Sequence, residues 1–216
     1  MIKLERTSVM NFENAVRGMR NPMKSWDKSD SYTTHIENPQ TLNTADFQFV
    51  MGENDLKLAR QLAHAGSDHR KFLRQIFVSV DITAPLYWWK EYDTYKVGTV
   101  ANSESTMHTI TKKGFELEDF SYDRLSQAGR DLLEWNVIPF LNSRIERYKY
   151  SQDKDDWYDI IQTLPASFNQ MRTCTLNYEN LVNIYHARKD HKLDEWHALC
   201  DWIKSLPYFE EICLQK

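Results

Sequence analysis

Apolar and polar residues alternate from Ile2 to Val9, the period of a strand with one covered face. At Asn11 the period changes. Phe12, Ala15, Val16 and Met19 recur at helical spacing behind an Asn cap with Asn14 three residues on, and Pro22 stops the run. From Lys24 to Asp46 the chain is mostly Ser, Thr, Asp, Asn and Lys, with Pro39, and reads as a long surface loop. Leu56, Leu58, Ala59, Leu62 and Ala63 predict a helix over 54–64 that Gly66 ends. Ser67 or Asp68 then caps a short helix that turns Phe72, Leu73 and Ile76 inward and leaves His69, Arg70, Lys71 and Arg74 for solvent or an anion. Residues 77–82 alternate again, and Pro85, which has no N–H, closes that strand.

Beyond Pro85 an amphipathic, aromatic-rich segment runs over 86–95, followed past Gly98 by a polar run from Thr99 to Thr106. That run carries more donors and acceptors than a turn needs. Residues 107–110 read as strand and Lys112-Lys113-Gly114 as a turn. Leu132, Leu133, Trp135, Ile138, Leu141 and Ile145 predict a helix over 126–150 that Pro139 kinks or divides. A last helix carries Leu193, Trp196, Leu199, Cys200, Ile203 and Leu206 inward, up to Pro207.

Composition narrows the class. A chain of 216 residues can bury a full core, and one domain, 1–216, is expected. The formal net charge of −4 supplies no field for a nucleic acid polymer. No apolar run is long enough for a membrane span and no charged-then-apolar leader is present, so a soluble, cytoplasmic protein with no membrane partner is expected. Cys174, Cys200 and Cys213 contain no CxxC pair, which suits reduced thiols and excludes a Cys-rich zinc site; no metal is expected. Seven Trp and eleven Tyr imply broad aromatic surfaces in a core, an interface or a ring-shaped ligand site.

The stretch DITAPLYWWKEYDTYKVGTVANSESTMH, from Asp81 to His108, resembles the signature region of the flavin-dependent thymidylate synthases: a strand, Ala-Pro, an aromatic helix and a polar Asn-x-x-Ser segment. The family signature is R-H-R-x-x-S-x-N-x-x-S-x-R. Asn102 and Ser105 keep its Asn and last Ser. Tyr95, Lys96 and Val97 stand where Arg, His and Arg are expected, Val100 replaces the first Ser, and Met107 the closing Arg. Gln75 occupies the place of the family's flavin-facing His.

A second block, IIQTLPASFNQMRTCTLNYENLVNIYHAR, resembles the family's C-terminal pair of elements. After Leu164-Pro165, Asn177, Asn183 and Arg188 follow at matching intervals, while Ile161 stands where the family has a phosphate-binding Arg. On a helix, positions eleven apart differ by about 20°, so Asn177 and Arg188 are expected on one face. Read without the resemblance, Asn177 is an N-cap, Asn183 a mid-helix amide and Arg188 a last-turn cation.

The resemblance implies an α/β (α+β) subunit with an antiparallel sheet and flanking helices, assembled as a homotetramer with active sites where subunits meet. It implies reductive methylation of dUMP to dTMP with FAD, methylenetetrahydrofolate and NADPH. In that scheme Arg188 and Ser105 are the catalytic residues, and Asn177, Asn183, Lys96 and Asn102 hold the flavin. Glu104, Ser105, Arg188 and Arg172 hold the nucleotide. Two alternatives stand beside it: an enzyme modifying C5 of another pyrimidine nucleotide, and a nucleotide-binding protein without catalysis.

Overall fold

The computed structural model describes residues 2–36 and 46–215. In chain order the elements are β1 (Lys3–Met10), α1 (Phe12–Arg20), β2 (Tyr32–Ile36), β3 (Asp46–Val50), α2 (Glu53–His64), β4 (Phe77–Pro85), α3 (Leu86–Tyr92), β5 (Val100–Ser103), α4 (Thr106–Thr109), α5 (Gln127–Leu132), α6 (Ile138–Ser151), α7 (Lys154–Thr163), β6 (Asn169–Asn177), α8 (Tyr178–Arg188), α9 (Asp194–Ser205) and α10 (Phe209–Cys213). The fold is mixed α/β, an antiparallel sheet with flanking helices, as expected. The four-stranded sheet has the order β1-β4-β6-β5, and β2-β3 form a separate two-stranded sheet. Along β4, Val78, Val80, Ile82 and Ala84 are buried on alternate positions, as the period of the sequence requires. Its antiparallel register with β6 is legible in the side chains: Thr173 bonds Asp81 and Thr175 faces Ser79.

The chain divides into two compact units. One comprises Met1–Glu5, Asp81–Lys96 and Ala101–Cys174. Its core joins Ile110, Phe115, Phe120, Leu133, Ile138, Leu141, Ile145 and Ile160. The helix expected over 126–150 is here, divided as Pro139 demands. Ser126 caps α5, residues Leu133–Val137 form a π-turn, and α6 starts at Ile138. Pro139 has no N–H for the carbonyl four residues back, so the regular ladder cannot cross that point, and the wider turn carries the chain past it. Residues 107–110 are not a strand. Ser105 accepts a hydrogen bond from the His108 N–H and starts the short helix α4, a capping choice that favours helix over the strand-like side chains.

The other unit comprises Arg6–Val80, Val97–Val100 and Thr175–Lys216. Phe12 stacks on Phe49 at 5.4 Å and meets Tyr178 and Tyr208 edge-on. The stretch expected to be a loop from Lys24 to Asp46 contains a strand. Tyr32–Ile36 pairs antiparallel with Asp46–Val50, with Tyr32 opposite Val50 and Thr34 opposite Gln48, and residues 37–45 lie outside the described residues. Thr, Tyr and Ile fit a pleated surface even when the composition is polar. The turn ahead of β2 is gathered by one carboxylate. Asp55, fully buried, accepts from Arg20 Nε, from Ser29 Oγ at 2.7 Å, and from the Ser31 N–H and Oγ at 3.0 and 2.6 Å. Burial pushes its pKa up, but the Ser31, Ser29 and Arg20 hydrogen bonds outweigh burial and hold it below the ordinary carboxylate value.

All three cysteines are free and buried. Burial pushes Cys174 and Cys200 up to about 11 and Cys213 up to about 12, so none is a nucleophile at neutral pH.

Candidate functional site

The residues singled out by the two sequence blocks fall in both units. Lys96, Asn102, Glu104, Ser105 and Arg172 belong to the first, and Asn177, Asn183 and Arg188 to the second.

In the first unit a buried glutamine joins two of the expected residues. Gln170 lies at an inward position of β6, on the side of the strand that also buries Cys174 and Leu176. A buried amide must find partners for both ends. Its nitrogen donates to the Glu104 carbonyl at 2.9 Å and to Thr106 Oγ1 at 3.1 Å, and its oxygen accepts from Arg172 Nε at 3.0 Å. Arg172 in turn donates to Asp93 Oδ1 at 2.7 Å and lies 4.2 Å over the Trp89 ring. Trp89 donates its indole N–H to the Gln170 carbonyl at 2.9 Å and meets Trp88 and Tyr92 edge-on. Glu104, Gln170, Arg172 and Trp89 therefore form one connected group. Sequence reading missed Gln170, although a Gln on the apolar side of an alternating strand was a visible signal.

Glu104 also borders a cleft of about 440 Å³ with Lys112, Lys113, Phe168 and Asn169. Lys113 is paired with Asp119 at 3.0 Å. Ser105 is engaged as the cap of α4. Lys96 and Asn102 are exposed, Asn102 on the solvent-facing strand β5. Val97, Val100 and Met107, which stand where the family signature has polar residues, are 87%, 71% and 54% exposed, so their apolar character is not explained by a core position.

In the second unit, Asn177 is outside the helix, as the N-cap of α8. Its backbone is extended, so the expectation that it shares a helical face with Arg188 does not hold. It forms a reciprocal capping box with Asn180: each side-chain oxygen accepts the other's backbone N–H, at 3.0 and 3.2 Å. The Asn180 amide nitrogen then donates to the Val97 carbonyl at 2.7 Å. Gly98, with φ of +74°, brings its backbone to where an added Cβ would lie 3.2 Å from both the Asn177 and Asn180 amides. Asn180 was missed in the sequence; an Asn three residues after an Asn cap was its signal.

Further along α8, Asn183 is exposed and its oxygen lies 3.4 Å from Arg70 Nη2. Arg70 is anchored by Glu179 at 3.0 Å. Because its oxygen faces the guanidinium, Asn183 is left with its NH2 end to donate. His186, one turn on, has its pKa lowered by burial and by Lys189, Arg70 and His64, which marks a locally cationic surface. Arg188 lies in the last turn of α8, 4.5 Å over the Trp196 ring. Among the described residues no cluster of His, Cys, Asp or Glu could hold a metal ion.

No family model and no curated protein matches this sequence. Solved structures do match in shape. A crystal structure of Thymidylate Synthase X (ThyX) from Helicobacter pylori with FAD and dUMP superposes with a TM-score of 0.69 at 15% identity, covering 100% of this chain and 98% of that one. A second structure, flavin-dependent thymidylate synthase ThyX from Helicobacter pylori complexed with FAD and dUMP, gives 0.67 at 15% identity, covering 99% and 97%. The chain has the fold of those thymidylate synthases along its whole length.

Proposed function

We propose that this protein is a divergent flavin-dependent thymidylate synthase that methylates dUMP reductively at C5, with methylenetetrahydrofolate as one-carbon donor and NADPH as reductant. The observation that carries this reading is the end-to-end likeness in fold to chains solved with FAD and dUMP, joined to the retained Asn102, Ser105, Asn177, Asn183 and Arg188. The donor chemistry of this chain fits a flavin. The outward NH2 of Asn183 suits a ring carbonyl, and the Arg70 and Lys189 charges suit a pyrophosphate. When bound, the flavin supplies the hydride.

In this reading Arg188, stiffened by Trp196, places positive charge beside the pyrimidine carbonyl that gains negative charge. Lys96 and Asn102 are exposed donors for the flavin, and Asn177 reaches it through the amide nitrogen its capping role leaves over. Glu104 and Ser105 orient the nucleotide. Arg172, gripped by Asp93, Gln170 and Trp89, fixes Glu104 through Gln170 and contributes its field to the nucleotide. The exposed Val97, Val100 and Met107 favour cover by further subunits, as in a homotetramer. The absence of cations at Ile161 and Met107 favours a second reading, a nucleotide-binding protein without turnover.

The test is the visible spectrum of the purified protein after FAD is added, followed by dUMP and the complete reaction mixture. A bound-flavin spectrum perturbed by dUMP, with dTMP formed, supports the synthase. Perturbation without product supports the second reading, and a protein that retains no FAD removes the first.

A further inference from the structure

The second unit holds a cavity of about 200 Å³ that the proposed synthase chemistry does not use. Its floor is the outer face of α1. Glu13 and Arg17, one turn apart there, are both exposed, and neither makes an ion pair or hydrogen bond with another described residue. The Arg17 guanidinium lies 5.4 Å over the Trp26 ring. Arg20, which borders the same cavity, is occupied by Asp55 and the Ser25 carbonyl. The walls are flat and held in place: Trp26 by an indole hydrogen bond to Asn21 at 2.9 Å, and Phe49 by its stack on Phe12. Tyr32 completes the lining, 58% exposed.

A guanidinium and a carboxylate side by side that do not pair ask for a ligand edge offering an acceptor to one and N–H donors to the other. The aromatic walls ask that this edge belong to a flat ring. The volume equals about six or seven waters at roughly 30 Å³ each. That is enough for a base and too little for a whole dinucleotide.

We propose that this cavity binds a 6-oxo-2-amino purine, a guanine-type base lying against Trp26. Arg17 donates to O6 and N7, the commonest pairing of Arg with a base, and Glu13 accepts from N1–H and the 2-amino group. Adenine presents its amino group to Arg17 and a bare ring nitrogen to Glu13, so donor meets donor and acceptor meets acceptor. The site therefore discriminates by the polarity of the edge. It is lined by none of the residues assigned to the synthase reading and does not rest on it.

Isothermal titration of the full chain with guanosine and with adenosine tests this, alongside Glu13→Gln, Arg17→Gln and Trp26→Leu. Glu13 and Arg17 are exposed, so their variants are expected to keep the wild-type melting temperature. Guanosine is expected to bind about tenfold or more tighter than adenosine, and each α1 variant to lose about tenfold or more, as for one lost two-point base contact. Trp26→Leu is expected to weaken both nucleosides together. The proposal is overturned if wild-type protein takes up no guanosine at millimolar concentration, if adenosine binds equally well, or if the α1 variants bind guanosine as wild type does.

Discussion

Asn180 donates its side-chain amide to the Val97 carbonyl at 2.7 Å, so the capping box that starts α8 also fixes the turn at Gly98. Gly98 sits at φ +74° with both capping amides at its back. Gly98→Ala is therefore expected to cost about 1–2 kcal/mol from the left-handed backbone. Its Cβ contacts with the amides add to that. At roughly 2–4 °C per kcal/mol for a chain of this size, calorimetry will show a clear drop in Tm. Asn180→Ala removes the box without the backbone strain and should fall by about 1 kcal/mol.

Asp55 and Arg20 are buried at 0% and 4% exposure, so removing one charge leaves the other without compensation. Asp55→Asn is expected to cost about 3–5 kcal/mol, measured by urea unfolding. The pH dependence follows from its lowered pKa. The stabilisation from this carboxylate is complete above its unfolded value of about 3.9 and is lost as pH falls through the lower folded value. The acid limb of the wild-type stability curve should therefore be steeper below about pH 4 than that of Asp55→Asn.

Arg172 grips Gln170 through Nε, Asp93 through Nη1 and Trp89 through its flat face. A lysine keeps the charge but cannot make this three-way contact. Arg172→Lys is expected to lose about 1–2 kcal/mol, since one acceptor of the buried Gln170 is left unmet. Asp93→Asn should lose less, under about 1 kcal/mol, because Asp93 is half-exposed and screened. Thermal melts of the two variants will separate these contributions.

Partial desolvation, with repulsion from Lys189, Arg70 and His64, lowers the pKa of His186 although the residue is exposed. In an NMR titration its ring should protonate below the ordinary histidine value of about 6.5. The neutral ring's contribution to stability is present above that value and declines as pH falls toward the lowered one. Arg70→Gln should raise the midpoint. Binding of an anion such as FAD at this surface should raise it too, which links the titration to the flavin reading.

Much of this arrangement was legible in the chain because burial and period agreed. Val78, Val80, Ile82 and Ala84 alternate in sequence as they do in β4, and Pro139 marked the break between α5 and α6. What was hidden had a common cause: a polar side chain acting on distant backbone. Composition makes residues 24–31 look like loose surface, yet Asp55, more than twenty positions on, gathers Ser29 and Ser31 into order. Likewise the strand expected at 107–110 gave way to one hydroxyl at Ser105. Within the candidate site, types and spacing located Asn177, Asn183 and Arg188. They could not reveal that Gln170 links Glu104 to Arg172, because that link depends on the facing of β6 rather than on any motif.

The wide turn over Leu133–Val137 is in effect a surplus residue wound into a helix. Removing one amino acid there would shorten the turn ahead of Pro139, which still interrupts the ladder, while Ile138, Leu141 and Ile145 keep their seats in the core that includes Ile160. The same deletion two turns later, inside α6, would swing Ile145 by about 100° relative to Ile138 and Leu141. The π-turn is thus a position where the length of the first unit is negotiable, directly ahead of a helix where it is not.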